Sequence, residues 1–429
     1  VPLYPTGQSW TFVARGTSSG DAIDANFGQR PFSATPPDSA VPLSTHTLAT
    51  VAISDPSVYF QNVLYTGNGG TQSVTLGGDR LANMQPDFVW LKNTGGSTSF
   101  DHVLFDSVRG EEKGVSSNLS DAENTSRELT AFNSNGFTLV RNGSDYKSNE
   151  SSHTYVGFCW KAGDSNTAVS ESGSGSGAIN ACTHRASTTS GLSIIKYTGL
   201  NDEISNGEHT LVTHGLGSAP VFMMGKNISS SSTDWFVLPG ENDSTGSGRW
   251  GADNNMHLNT TAASSGSEHV QPALPTSTHV KLGNDDLVNK ANDEFIMYAW
   301  IRVPGLVGYG TYEGNGSTDG PYIVINDGAS GFKAAWIMIK RITSTESWMI
   351  FNNKSDIDNP AEHYLMADAT NKANDGSGGN DIDITANGFK CRTTNTATNS
   401  GTDTNNTYLY LAFAERPFGV LGLPQTRAR

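Results

Sequence analysis

Thr154–Lys161 reads TYVGFCWK, Glu294–Arg302 reads EFIMYAWIR and Thr407–Glu415 reads TYLYLAFAE. Each is a short run rich in aromatic and β-branched residues, which suits a pleated strand better than a helix. In the first run Tyr155, Gly157 and Cys159 alternate with Val156, Phe158 and Trp160. Apolar residues stand on both sides of the alternation. The strand is therefore expected to be central and covered on both faces, either within its own domain or by a partner chain.

These runs close the copies of an internal repeat. Val63–Gly69 (VLYTGNG), Ile194–Gly199 (IIKYTG) and Thr311–Gly316 (TYEGNG) open three copies. An apolar strand ending in lysine follows in each: Phe88–Lys92 (FVWLK), Val221–Lys226 (VFMMGK) and Trp336–Lys340 (WIMIK). Next come Asp101–Phe105 (DHVLF), Asp234–Leu238 (DWFVL) and Ser347–Phe351 (SWMIF). The first and third copies also share Asn135-Gly136-Phe137 and Asn387-Gly388-Phe389. From the opening tyrosines Tyr65, Tyr197 and Tyr312 to the closing Trp160, Trp300 and Phe413, each copy spans about 100 residues, the size of a β-sandwich.

The expected fold is all-β: three tandem β-sandwich modules of jelly-roll or concanavalin-like type, preceded by a partial domain. Residues 1–60 form the partial domain and a linker, 61–163 the first module, and 192–304 the second. Residues 305–429 form the third module and a C-terminal tail. Residues 164–191, with the run SESGSGSGAIN, read as a flexible linker. Only Val303–Gly308 joins the second and third modules, so those two are expected to pack closely. The second module lacks Asn-Gly-Phe and carries Trp250–Ser277 as an insertion-like stretch.

Composition agrees. Charged residues are 16% of the 429, while 47 glycines and abundant Ser, Thr and Asn supply turns. The net charge of −15 argues against nucleic acid and anionic lipid as partners, because both require Lys/Arg clusters. No apolar run reaches the length of a bilayer span, so no membrane insertion is expected. Cys159, Cys182 and Cys391 cannot all pair, no CxxC occurs, and stability is not expected to rest on disulfides. The Val-Pro-Leu-Tyr start, with no signal-peptide pattern, reads as a piece or processed product of something longer.

The phrases NFGQRPF (Asn26–Phe32), YTGNGGTQSV (Tyr65–Val74), QPDFVWLKN (Gln85–Asn93), LFDSVRG (Leu104–Gly110), FNSNGFTL (Phe132–Leu139) and TYVGFCWKAG (Thr154–Gly163) resemble virion proteins of marine bacteriophages, cyanophages among them. In those proteins the end of an SPRY-like, concanavalin-type domain is followed by β-rich repeat modules of tail-fibre type. The resemblance covers about residues 24–420. It implies a structural protein at the virion surface, other virion proteins as partners, a homotrimeric assembly, and no catalytic residues.

Enzymatic signals are weak. Asp381 and Asp383 alternate on one strand, as a glucanase pair would, but read as a solvated strand end. Glu111-Glu112-Lys113 reads as a charged turn. Histidines are scattered and no GxSxG elbow occurs. Asn374–Asp383 offers oxygen ligands without EF-hand spacing, so no metal and no cofactor is assigned. The sequons at Asn118, Asn142 and Asn259 follow from composition. Trp90, Trp160, Trp300, Trp336, Trp235 and Trp348 fall in repeated strands and read as core. Trp250, in GSGRWGADNN, has no aromatic counterpart in the other copies. Arg249, Trp250 and His257 are therefore the candidate ligand or inter-subunit contact residues.

The expected function is a tail-fibre or adhesin arm binding host-surface glycan or protein by multivalent display. The main alternative is a capsid decoration or tail-scaffold protein without a receptor role. A polysaccharide depolymerase and a lectin-like bacterial surface protein stand further off.

Overall fold

The computed structural model describes residues 51, 53–78, 81–141, 147–245, 248–373, 379–401 and 406–418. The chain divides into a unit Val1–Ala49 and a unit Thr50–Arg429, and the described residues all belong to the second. The strands expected around Trp10–Ala14 and Ala25–Phe32, the phrase Asn26–Phe32 and the sequon Asn142 lie outside the described residues.

The fold is all-β; among the described residues the helical segments are four-residue α turns at Asp286–Asn289 and Thr396–Asn399 and 3-10 turns at Pro56–Val58 and Asn201–Glu203. Each module has a principal sheet with one strand order: opening, closing, lysine-bearing, third. The opening strands are Phe60–Thr66, Leu192–Thr198 and Val307–Glu313. The closing strands are Thr154–Trp160, Glu294–Trp300 and Thr407–Pro417. The lysine-bearing strands are Phe88–Gly95, Phe222–Asn227 and Phe332–Arg341, and the third strands are Val103–Asp106, Trp235–Pro239 and Met349–Asn352. The strands of these principal sheets pair antiparallel, and in every module the closing aromatic sits between the same two strands. Trp160 faces Phe60 and Phe88, Trp300 faces Leu192 and Phe222, and Phe413 faces Val307 and Trp336.

A second, smaller sheet covers one face of each principal sheet. In the first module it contains Thr71–Thr75, Gly136–Val140 and Leu129–Asn133. In the third it contains Tyr322–Val324, Gly388–Cys391 and Ile382–Ile384 in the same order. The shared Asn-Gly-Phe phrases build the hairpins of these sheets. A Cβ on Gly136 would lie 2.0 Å from the Val74 carbonyl oxygen, and one on Gly388 1.9 Å from that of Ile323. Only glycine lets the neighbouring strand approach so closely. The second module, which lacks the phrase, covers its sheet with the pair Thr210–Thr213 and His279–Leu282.

The other face of each principal sheet turns inward to the other two modules. Cys159, Val89 and Leu91 belong to the first module's own sandwich core, whereas Val156, Phe158 and Trp160 belong to a cluster shared by all three modules. The two apolar faces of TYVGFCWK are thus both covered, and the covering on the second face comes from the same chain. Trp160, Trp300 and Phe413 close a triangle, with ring centroids 6.4, 5.4 and 6.0 Å apart. The three modules pack around this triangle with approximate threefold symmetry.

Two expectations are corrected. Residues 164–191 are not simply a tether. Thr167–Val169 and Cys182–Ala186 extend the second module's principal sheet, with Ser193 opposite Ala186 and Tyr197 opposite Cys182. Positive-φ glycines Gly173, Gly175 and Gly177 let the chain double back, and the exposed edge of an opening strand offers unpaired amides and carbonyls that a returning strand satisfies. Trp250–Ser277 is also not a simple insertion, because it includes the second module's version of a connection that all three modules use at their seams.

Because the core is shared, the three modules are expected to unfold together. Urea denaturation followed by tryptophan fluorescence and by far-UV circular dichroism should show one coincident transition. Trp160→Ala should lower the stability of the whole unit by about 3–5 kcal/mol. Separate transitions for the modules would contradict the shared core.

Candidate functional site

The threefold junction is built from residues at matching positions. The triangle Trp160, Trp300 and Phe413 is backed by Phe88, Phe222 and Trp336 on the lysine-bearing strands. Phe88 stacks on Tyr298 of the second module at 4.2 Å, and Trp160 meets Trp336 of the third edge-on at 5.9 Å. The indole nitrogens of Trp160, Trp300 and Trp336 have no hydrogen-bond acceptor.

Around this apolar centre runs a cyclic set of polar contacts. At the second position of the landmark phrases stand His102, Trp235 and Trp348. Each places a ring nitrogen on a backbone carbonyl of a neighbouring module: His102 Nε2 to Met366 O at 3.0 Å, Trp235 Nε1 to Ser116 O at 2.8 Å, and Trp348 Nε1 to His257 O at 2.9 Å. The lysines that end the second landmark do the same four residues further along. Lys92 Nζ donates to Thr370 O at 3.0 Å, Lys226 to Ser120 O at 2.8 Å, and Lys340 to Thr261 O at 3.0 Å. The first module thus reaches the third, the third the second, and the second the first. Each module gives the same two donors and receives the same two, so the ring closes within one chain.

Midway between each acceptor pair stands a side chain that holds the third strand in place. Asn118, Asn259 and Asp368 accept the backbone N–H of His102, Trp235 and Trp348 at 3.0, 2.9 and 2.9 Å. Asn118 and Asn259 also donate to Asp101 and Asp234, each at 2.7 Å. Both sequon asparagines are therefore committed to the fold. The segments Ser116–Ser120 (SSNLS), His257–Thr261 (HLNTT) and Met366–Thr370 (MADAT) carry the signal for these contacts, an Asn or Asp two residues before a Ser or Thr.

The junction is also where ionisation is most constrained. Lys92, Lys226 and Lys340 are fully buried. Burial pulls the Lys92 ammonium down to about 7, and Lys226 and Lys340 to about 8, with Asp101, Asp234 and Asp368 respectively opposing it. His102 is buried, and burial holds it well below its usual value, with Lys92 adding to the effect. Its Nδ1 accepts Trp90 Nε1 at 2.8 Å, so the proton on the neutral ring sits on Nε2, facing Met366 O. The first and second modules are further joined by Arg109. It is fully buried, bonds Asp106 at 2.5 Å, and shares that carboxylate with Tyr298 Oη at 2.8 Å.

The candidate contact residues Arg249, Trp250 and His257 divide. Trp250 is not an exposed aromatic. It is 1% exposed, and its indole donates to Tyr309 Oη of the third module at 2.5 Å. It occupies the seam because the apolar Met256–Leu258 segment draws its loop into the shared core. His257 lies at the same seam, giving its carbonyl to Trp348 and taking its ring against Trp235 O at 3.2 Å. Arg249 is exposed beside them. Asp383 pairs with Arg392 at 3.3 Å, while burial, then Glu362 and Asp356, raise Asp381. Part of the Asn374–Asp383 loop lies outside the described residues. Among the described residues, no group of three or more His, Cys, Asp or Glu is placed to hold a metal ion. No described helix is long and apolar enough to cross a membrane. All three cysteines are free and buried.

Over residues 55–417 the chain matches the family described as Domain of unknown function (DUF7483). The chain belongs to this family. No curated protein and no solved structure matches it. The DUF7483 region runs from Asp55, which caps the 3-10 turn before the first opening strand, to Pro417 at the end of the last closing strand. It therefore contains all three modules.

The seam between the first and third modules of the DUF7483 domain is partly open. Two adjoining grooves of about 350 and 410 Å3 are lined by Gln61–Leu64 and by Leu64–Thr66, the second crossing the end of the sheet to Thr154, Tyr155 and Thr94. Leu64, which is 50% exposed, lines both, as does Lys354 of the third module. Thr75–Gly77 and Leu81 bound one groove, and Ser355 and His363 bound the other. His363 Nδ1 is held on Asp356 Oδ1 at 2.5 Å.

The buried lysines give the DUF7483 domain a pH signature. Their folded-state values lie below the ordinary 10.5. Between the two values the unfolded chain holds more protons, so stability rises with pH and is lost as pH falls towards 7. The urea midpoint is expected to rise from pH 7 to pH 8. Replacing Lys92, Lys226 and Lys340 together by Met should flatten that slope. A slope unchanged in the triple variant would show that other groups cause it.

Proposed function

We propose that this chain is a structural protein of a bacteriophage particle, displayed at the virion surface as the head of a tail-fibre or adhesin arm. The observation that carries this reading is the closure of three sandwich modules around one shared aromatic core. A unit sealed in this way commits its large apolar faces and its buried lysines to rigidity. Its outer sheets and loops are left to meet other surfaces. The phage assignment is supported by the resemblance of the repeat phrases to virion proteins.

In the arm reading, host-surface glycan or protein is bound weakly and many times. Three modules on each chain, and three chains in a homotrimer, multiply weak contacts through effective concentration. Outer-surface hydroxyl and amide groups, with exposed Tyr322 at 50%, supply the polar and aromatic groups that sugars require. The burial of Trp250 favours the second reading, a capsid decoration or tail scaffold, because it removes from the surface the aromatic residue best placed in sequence to stack on a sugar.

Gold-labelled antibody against the chain should mark the tail tip or fibres of intact particles. The isolated chain should bind host cells saturably, with competition by host-envelope polysaccharide. Label on the capsid or tail tube together with no host binding would establish the scaffold reading instead. No label on any particle would overturn both. Release of reducing ends from host polysaccharide, lost in Asp381→Asn, would replace both with a depolymerase.

A further inference from the structure

The three opening strands begin as equivalents but their outer edges meet different fates. In the second module, Cys182–Ala186 pairs along the outer edge of Leu192–Thr198, and Thr167–Val169 pairs beyond it. In the third module, Thr311 Oγ1 accepts the backbone N–H of Ser244 of the second at 3.1 Å, and Tyr309 Oη accepts the Trp250 indole N–H. In the first module Phe60–Thr66 is, among the described residues, the last strand of its sheet, and a groove lies beside it.

Register makes the correspondence close. Phe60 faces Trp160 as Leu192 faces Trp300, so Gln61–Tyr65 match Ser193–Tyr197. Ser193–Tyr197 is the stretch that pairs with Cys182–Ala186. Gln61–Thr66 is the stretch that lines the grooves. Where the second module has Lys196, paired with Glu294 at 2.7 Å, the first has the half-exposed Leu64. A large apolar side chain on an uncovered edge strand is a feature that proteins usually avoid unless the edge is used.

We propose that the edge Gln61–Tyr65 accepts an antiparallel strand donated by a partner polypeptide, completing the sheet of the first module as Cys182–Ala186 completes that of the second. Main-chain hydrogen bonds supply the attraction and side chains on alternate positions supply the selection. Charge specifies the strand. Arg185 of the internal strand reaches across its seam to Asp87 and Ser107 of the first module. Across the open seam the third module presents Lys354, one residue beyond the counterpart of Ser107. The donated strand therefore carries a carboxylate where the internal strand carries Arg185, and an apolar residue over Leu64 and Leu81. This inference does not rest on a phage origin.

The test uses two fluorescent peptides of residues 181–187 with Cys182→Val and with Thr183→Val at the position facing Leu64, one keeping Arg185 and one carrying Arg185→Glu. The Arg185→Glu peptide is expected to bind the chain saturably and to slow amide exchange across Gln61–Thr66. Leu64→Lys should weaken it by about tenfold or more, the effect of roughly 1.4 kcal/mol. Lys354→Glu should reverse the preference between the two peptides. Both substitutions are at exposed positions, and unchanged thermal melts would show that the variants remain folded. No binding of either peptide at millimolar concentration, or binding indifferent to both substitutions, would overturn the proposal. A concentration-dependent dimer dissolved by Leu64→Lys would assign the edge to a second copy of the chain and overturn the separate partner.

Discussion

The triangle of Trp160, Trp300 and Phe413 holds the three modules in one body. Each ring comes from the closing strand, the central strand of its sheet, so burying it fixes the orientation of the whole sheet. A sandwich of about 100 residues ordinarily needs only one apolar face on each sheet. Here the principal sheets have two. The second face would be a large exposed apolar patch on any module taken alone. Bringing three such faces together removes all of them from water and makes the modules parts of one core.

Apolar burial is non-directional and could be satisfied at many angles. Direction comes from the ring nitrogens of His102, Trp235 and Trp348 and the ammonium groups of Lys92, Lys226 and Lys340. Each must find an acceptor once it is buried, since an unpaired buried donor costs about 1–3 kcal/mol. The acceptors are carbonyls of one short segment in the neighbouring module, available only in one rotational setting. Because every module both gives and receives, the arrangement closes after three and leaves no terminal donor. This is the behaviour of a head-to-tail interface whose rotation closes a ring, achieved here by tandem repetition within one chain.

The departures from symmetry lie at the seams. The first and second modules are locked by buried Arg109 and Asp106, and by the strand Cys182–Ala186 laid between them with Arg185 on Asp87. The second and third are locked by Trp250 on Tyr309. The third and first meet through Asn62, which donates to Ala335 O at 2.8 Å, and leave the groove along Leu64. The repeat supplies three equivalent edges, and the chain covers them by different means.

The strand class, the three copies, their lengths and the two-faced closing strand are all legible in sequence, because alternation and β-branched runs are local properties with a period of two. The core roles of Trp90, Trp160, Trp300, Trp336, Trp235 and Trp348 follow from their places in the repeat. The terminal lysines are visible as a landmark but not as donors, because their partners lie in another copy, more than a hundred residues away in the chain for Lys226 and further for Lys92. Trp250 reads as exposed because its neighbours are polar, yet its burial is set by Tyr309 in the next module. The Gly/Ser composition of 164–191 conceals a strand because composition reports turns and cannot report a vacant edge beside them. Local pattern alone dictates three two-faced β-sheets of one design. That these faces meet one another is settled in three dimensions, because which surface covers an apolar face depends on contacts between residues far apart in the chain, which no local pattern encodes.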